Sequence, residues 1–153
     1  QNSKGNEEVY MIKTFRGQLA DGGQETIRLG TNNGLTGYRI VKFELMPAII
    51  ADGGSEHTCK ITKRELTTID NNVDFTDQNL LAAGVTSNSS SVHLYGIPSV
   101  TVFDQEVFNQ DIFVSQHDND GSRGLNYYIE LEQIKLDLGE AAVATLKDMR
   151  GSN

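Results

Sequence analysis

Short segments in which apolar and polar residues alternate, each closed by Gly, Asn or Asp, recur from one end of this chain to the other. A two-residue period puts successive side chains on opposite faces, so each segment can bury one face of a strand. The turn residues between them send the chain straight back. That pattern implies an antiparallel sheet protein. "YRIVKFELM" sets Val41, Phe43 and Leu45 on one face against Lys42 and Glu44 on the other, and Pro47 should end the strand because proline cannot donate to the ladder. "VYMIKTF", "TIRLG", "TCKITKREL", "VHLYGI", "SVTVF", "EVF" and "DIFVS" read as further strands. Turns fall at "ADGGQE", "TNNGLTG", "ADGGSEH" and "QHDNDGSRG".

Two segments depart from the pattern and read as helix. In "DFTDQNLLAAG" (Asp74 to Gly84), Thr76 suits an N-cap, Phe75 can staple onto Leu80, and Gly84 suits the stop. Near the C-terminus, Tyr127, Ile129 and Leu131 share one face while Ile134, Leu136 and Leu138 fall on the other parity, so a bulge is expected near Gln133. Asp137 and Glu140 then form a capping box, Lys147 and Arg150 sit at the negative end of the helix dipole, and Gly151 is a stop. A helix from Glu140 to Arg150 can bury Ala142, Leu146 and Met149 on one face, and being marginal alone it should dock that face on a sheet or on a neighbour.

The expected fold is therefore mainly β: an antiparallel β-sandwich, jelly-roll-like, with one short internal helix and a C-terminal helix. A polar arm over residues 1–8 precedes a single domain over residues 9–153, since 153 residues with 37% hydrophobic content suit one core. Val41, Phe43, Leu45, Ile129 and Leu131 are the expected core, with Ile61 and Phe113 beside them.

Charge and composition exclude several roles. Thirteen basic against twenty-one acidic residues leave a net charge of -8, the wrong sign for neutralising phosphates, so no direct nucleic-acid partner is expected. No apolar run approaches the roughly 20 residues of a membrane helix, and "QNSKGNEE" does not read as a signal peptide. Cys59 is the only cysteine, so no intrachain disulfide can form.

Candidate chemistry is thin. "HDNDGS" offers Asp118 and Asp120 as weak cation ligands. With Gly121 in the sixth position of a calcium loop, however, the twelfth falls on Tyr127, where a bidentate Glu belongs. A turn is the simpler reading. His57, His93 and His117 stand at no zinc spacing, and Cys59, at an alternating strand position, is expected to be buried and inert. Glu130 and Glu132 share a strand face and could in principle act as a carboxylate pair, but they read as a solvated surface. Tyr127 and Tyr128 point to opposite faces, and Asn88 opens a glycosylation acceptor. No nucleophile elbow, zinc-protease helix, phosphate loop or dinucleotide fingerprint is present. No catalytic residue, cofactor or small-molecule substrate is expected.

"LTGYRIVKFELMP", "DFTDQNLLAAG" and above all "EVFNQDIFVSQHDNDGSRGLNYYIELEQIKLDLGEAAVATLKDMR" resemble a group of small, uncharacterised structural-type proteins of uncultured marine viruses, of the bacteriophage virion kind. The resemblance runs from Leu35 to Arg150 and carries no functional motif. It implies a virion protein: a coat or capsid-surface (decoration) subunit in many copies, partnered by itself and other virion proteins, located in the capsid. A phage tail or adaptor subunit is an alternative, and so is a secreted carbohydrate- or ligand-binding module. Candidate subunit contacts are Asn6, Glu7 and Glu8 in the arm and Val143, Leu146 and Met149 on the helix.

Overall fold

The computed structural model describes residues 11–30, 33–50, 54–87 and 99–150. Among the described residues eight strands run in chain order: β1 (Met11–Leu19), β2 (Gln24–Ile27), β3 (Thr36–Pro47), β4 (Glu56–Thr62), β5 (Leu80–Ser87), β6 (Ser99–Phe103), β7 (Ile112–Asp118) and β8 (Leu125–Lys135). One helix, α1 (Leu138–Arg150), follows. The strands form two antiparallel sheets, β1-β8-β3 and β2-β7-β4-β5-β6. The expected strand "VHLYGI" with His93, the acceptor Asn88, and the arm with Asn6, Glu7 and Glu8 lie outside the described residues.

The pairing is nested. β1 pairs with β8, β2 with β7, and β4 with β5. After β6 the chain leaves the larger sheet, and Phe108 bridges Tyr38 of β3 through both backbone bonds, Tyr38 N–H to Phe108 O at 2.8 Å and the return at 3.0 Å. The turn "ADGGQE" thus carries the chain between sheets rather than closing a hairpin. Gly22 adopts φ 74° there, and its N–H donates to Gln116 O at 3.0 Å, which fastens the crossover to β7.

The sheets share one core. Ile40, Phe43, Leu125, Ile129 and Leu131 from one sheet meet Cys59, Ile61, Ile112 and Val114 from the other. Gly84 marks the closest approach: a Cβ there would lie 2.6 Å from Leu45 and 3.0 Å from Thr101. The loop after β4 covers the outer face of the larger sheet. Gln24 exchanges both amide bonds with the backbone of Leu66, at 3.1 and 2.8 Å, and Lys60 reaches Asp70 and Asn72 O.

Three expectations about parity need correction. Val41 is exposed, because the β3–β8 register shifts between Ile40 and Lys42. The bulge sits at Val41, so Tyr38 and Ile40 face inward before it and Phe43 and Leu45 after it. Phe113 is half-buried on the outer side of β7, while Ile112 and Val114 take the core positions. β8 itself keeps regular register through Gln133. Ile134 and Leu136 change face because α1 covers them, in a second small cluster with Leu35, Val107, Ala141 and Ala144.

The expected helix over Asp74 to Gly84 is absent. Asp74 Oδ1 instead accepts from the Thr76 N–H at 2.9 Å and its hydroxyl at 2.6 Å, and Asp77 Oδ1 accepts from the Asn79 N–H at 2.9 Å. Two successive Asx turns hold these residues. The chain then enters β5, where Leu81, Ala82, Ala83 and Gly84 are buried consecutively. A strand covered on both faces loses its alternation, so from sequence it looks like a buried helix segment.

The C-terminal helix forms where expected, with its capping box. The Glu140 N–H donates to Asp137 Oδ1 at 2.7 Å, and the Asp137 N–H reaches back to Glu140 Oε1 at 3.4 Å. Of the two dockings expected for the face of Ala142, Leu146 and Met149, the chain's own sheet does not provide one. Ala141 and Ala144 face the body and Thr145 and Asp148 are half-buried, whereas Ala142, Leu146 and Met149 face out. Asn109 fixes this rotation by donating through Nδ2 to Thr145 Oγ1 at 3.0 Å and to Gly34 O at 3.1 Å.

The bulge gives a sharp contrast between near neighbours. Val41→Thr is expected to change stability by less than about 0.5 kcal/mol, whereas Phe43→Ala should cost about 3–5 kcal/mol. Urea unfolding midpoints of the two variants check this, and equal losses would place Val41 in the core.

Candidate functional site

Three places gather the residues with chemical potential. The first is the end of the body where β7 turns toward β8. Asp118 is buried, and its carboxylate accepts backbone N–H bonds from Glu56 at 3.0 Å, Asp120 at 3.2 Å, Gly121 at 3.2 Å and Arg123 at 2.9 Å. Burial alone would raise this carboxyl, but the four N–H donors outweigh it and hold it below its ordinary range. The Asp118 N–H in turn donates to Asp21 Oδ1 at 2.8 Å, and Arg123 Nη1 donates to Gly54 O at 3.1 Å. Asp118 therefore organises the loop from within, with its oxygens turned to the backbone. Asp120 does not join it in a cluster: among the described residues no three His, Cys, Asp or Glu side chains converge on a possible ion position.

His57 and Cys59 do share the inner face of β4. The His57 Nδ1 lies 3.0 Å from Gln116 Oε1, and Gln116 Nε2 donates to Leu19 O and Arg123 O. Cys59 is fully buried, and burial pushes its thiol far above the range in which a thiolate forms. His57 and Gln116 link β4 to β7, and Cys59 is packed in the core.

The second place is the outer face of the three-stranded sheet, where a depression of about 530 Å³ is lined by Arg16, Gly17, Glu44, Met46, Asn126 and Tyr128 among others. Tyr128 donates to Glu130 Oε1 at 2.9 Å, and the Lys42 ammonium stands 5.9 Å from its ring centre. Glu132 pairs with Arg39. Glu130 and Glu132 are thus each bound to a separate partner, and Glu132 is buried rather than solvated as expected. Tyr127 points inward instead, donating to Glu25 Oε2 at 2.6 Å across the two sheets. Gly17 makes room for it, since a Cβ there would sit 2.7 Å from the Tyr127 hydroxyl.

The third place is α1. Val143, Leu146 and Met149 come together on its outward side, 53%, 55% and 62% exposed, and Leu138 at 80% extends the same side. Val143, Leu146 and Met149 are the helix residues that the sequence offers as candidate subunit contacts, and Leu138, there an apolar position on the parity of Ile134 and Leu136, joins them. The signal that would have separated the faces is the small pair Ala141 and Ala144, three residues apart, which lets the helix lie close to Leu136 and Val107. On the inner side, both oxygens of Asp148 are buried, with the Asn109 backbone N–H and Lys63 as the groups that favour its charge. Burial raises this carboxyl, against the pull of Lys63, which is itself paired with Glu106 at 2.7 Å.

Opposite pH behaviour follows for the two aspartates. Asp118, depressed in the native state, contributes stability above the unfolded-state value of about 3.9 and loses it as pH falls through its own lower value. Asp118→Ala should cost about 2 kcal/mol or more at neutral pH, with the gap to the parent chain narrowing below about pH 4. Asp148, raised in the native state, weakens the fold as pH climbs through its raised value. Asp148→Asn is expected to raise the thermal midpoint at pH 7 and to leave it unchanged at low pH. Thermal melts across pH test both, and a lower midpoint for Asp148→Asn at pH 7 would mean that Lys63 and the Asn109 N–H together outweigh the burial.

No protein-family model matches the chain, and none of the curated proteins matches it.

Proposed function

We propose that this chain is a virion structural protein, a coat or capsid-surface subunit that assembles in many copies with itself and with other virion proteins. The observation that carries the reading is the outward face of α1. Four large apolar side chains on one side of a helix, with alanines on the other, are what a subunit presents when its helix is completed by a neighbour.

The strand order gives second support. A jelly-roll sandwich of eight strands nests its pairs, first with last, second with seventh, third with sixth and fourth with fifth, and it recurs in viral capsid domains. Here β1 pairs with β8, β2 with β7 and β4 with β5, while the segment just after β6 bridges β3 at Phe108. The acidic balance of -8 suits a shell or outer-surface subunit that does not hold the genome directly. A tail or adaptor subunit fits the same surfaces.

One observation favours a second reading, a ligand- or carbohydrate-binding module. The depression beside Tyr128 sets an aromatic ring among Arg16, Glu44 and Asn126.

Light scattering on a sizing column, across protein and salt concentration, tests the first reading. Closed oligomers or particles are expected as concentration rises. A persistent monomer that binds a glycan, with binding lost in Tyr128→Ala, would replace it with the second.

A further inference from the structure

The assembly reading leaves open how the outward face of α1 is covered, and the helix itself carries enough pattern to name the occupant. Resting on that reading, we infer that α1 packs antiparallel against α1 of a second copy about a two-fold axis.

Gly139, Ala142, Leu146 and Met149 are all exposed and follow each other at spacings of three, four and three residues, the seam of a helix pair. In an antiparallel pair centred on residue 144, Ala142 falls opposite Leu146 of the second copy and Gly139 opposite Met149. Each small residue meets a large one, on both sides of the axis. A parallel pair would set Leu146 against Leu146 and leave the glycines facing each other.

Charge selects the same arrangement. Glu140 and Lys147 lie on one flank of the seam with Val143 between them, at the border of an apolar groove of about 510 Å³ formed with Val107, Ile134 and Leu136. The antiparallel pair directs Glu140 of each copy toward Lys147 of the other, twice, whereas a parallel pair directs like toward like. An isologous contact needs such a self-complementary patch. A four-turn helix pair buries less than the roughly 1,200 Å² of a stable standard interface, so it acts as one contact of an assembly and is best caught by cross-linking.

The chain suits a register test because its only cysteine, Cys59, is fully buried and unreactive. Val143→Cys stands next to the axis and should give a disulfide-linked dimer under mild oxidant, at least tenfold faster than Leu138→Cys. Two copies of residue 138 would be about 18 Å apart along an antiparallel pair at 1.5 Å per residue, beyond disulfide reach. Mixing Leu138→Cys with Met149→Cys should restore the link. Lys147→Glu should slow the Val143→Cys link at least threefold, and adding Glu140→Lys should recover it, since Asp137 still caps the N–H of residue 140.

Each outcome is decisive. Rapid self-linking of Leu138→Cys overturns the antiparallel register. Particles that form while Val143→Cys stays unlinked overturn the helix pair and leave the assembly reading intact. A linked dimer with nothing larger at any concentration upholds the helix pair and removes the many-copy reading.

Discussion

Everything in the smaller sheet depends on β8. It lies between β1 and β3, and its inward side chains Leu125, Ile129 and Leu131 are wholly buried, with Tyr127 nearly so. The partners are far apart in sequence: Leu19 pairs with Leu125, and Met11 with Gln133. A sheet whose central strand pairs with two strands so distant in sequence cannot close until all three have been made. The closure entropy must be met before the core contacts reward it, so this topology belongs to the slow-folding, non-local class.

Polar side chains then set the spacing between the two sheets. Tyr127 reaches from β8 to Glu25 on β2 through the gap left by Gly17, and Gln116 on β7 holds the backbone at Leu19 and Arg123. Burial, with Glu25 beside it, raises the Tyr127 phenol, so it stays a neutral donor over the working pH range. Asp118 closes the same end by gathering four N–H groups into one carboxylate. A sequence that looks like a cation loop thus folds as one with a fixed internal anion, which stabilises the turn through charge-assisted bonds.

Legibility followed periodicity. Strands with one face in the core, such as Leu125–Lys135, and the capping box at Asp137 could be read directly, because each leaves a local signature. Three features could not. The bulge at Val41 shifts parity by one residue without changing composition, so the sequence assigned Val41 to the core along with Phe43. β5 is covered on both faces, and "LLAAGV" carries neither a two-residue nor a 3.6-residue stripe to tell strand from helix. Helix rotation was missed because hydrophobicity points to Leu146 and Met149, whereas the close approach of α1 to the body favours alanine and a hydrogen bond to Asn109.

That last discrepancy carries the most functional weight. Rotating α1 by half a turn would bury leucine and methionine and expose alanine, and each large side chain so buried would gain about 1.5–3 kcal/mol. The isolated chain does not take that gain. Asn109, Thr145 and the capping box hold the helix in the other orientation, so its largest apolar area faces solvent. Single exposed leucines are ordinary on protein surfaces. Four large apolar residues on one side, two of them in heptad-like step with Gly139 and Ala142, are the surface on which the proposed pairing of two copies rests.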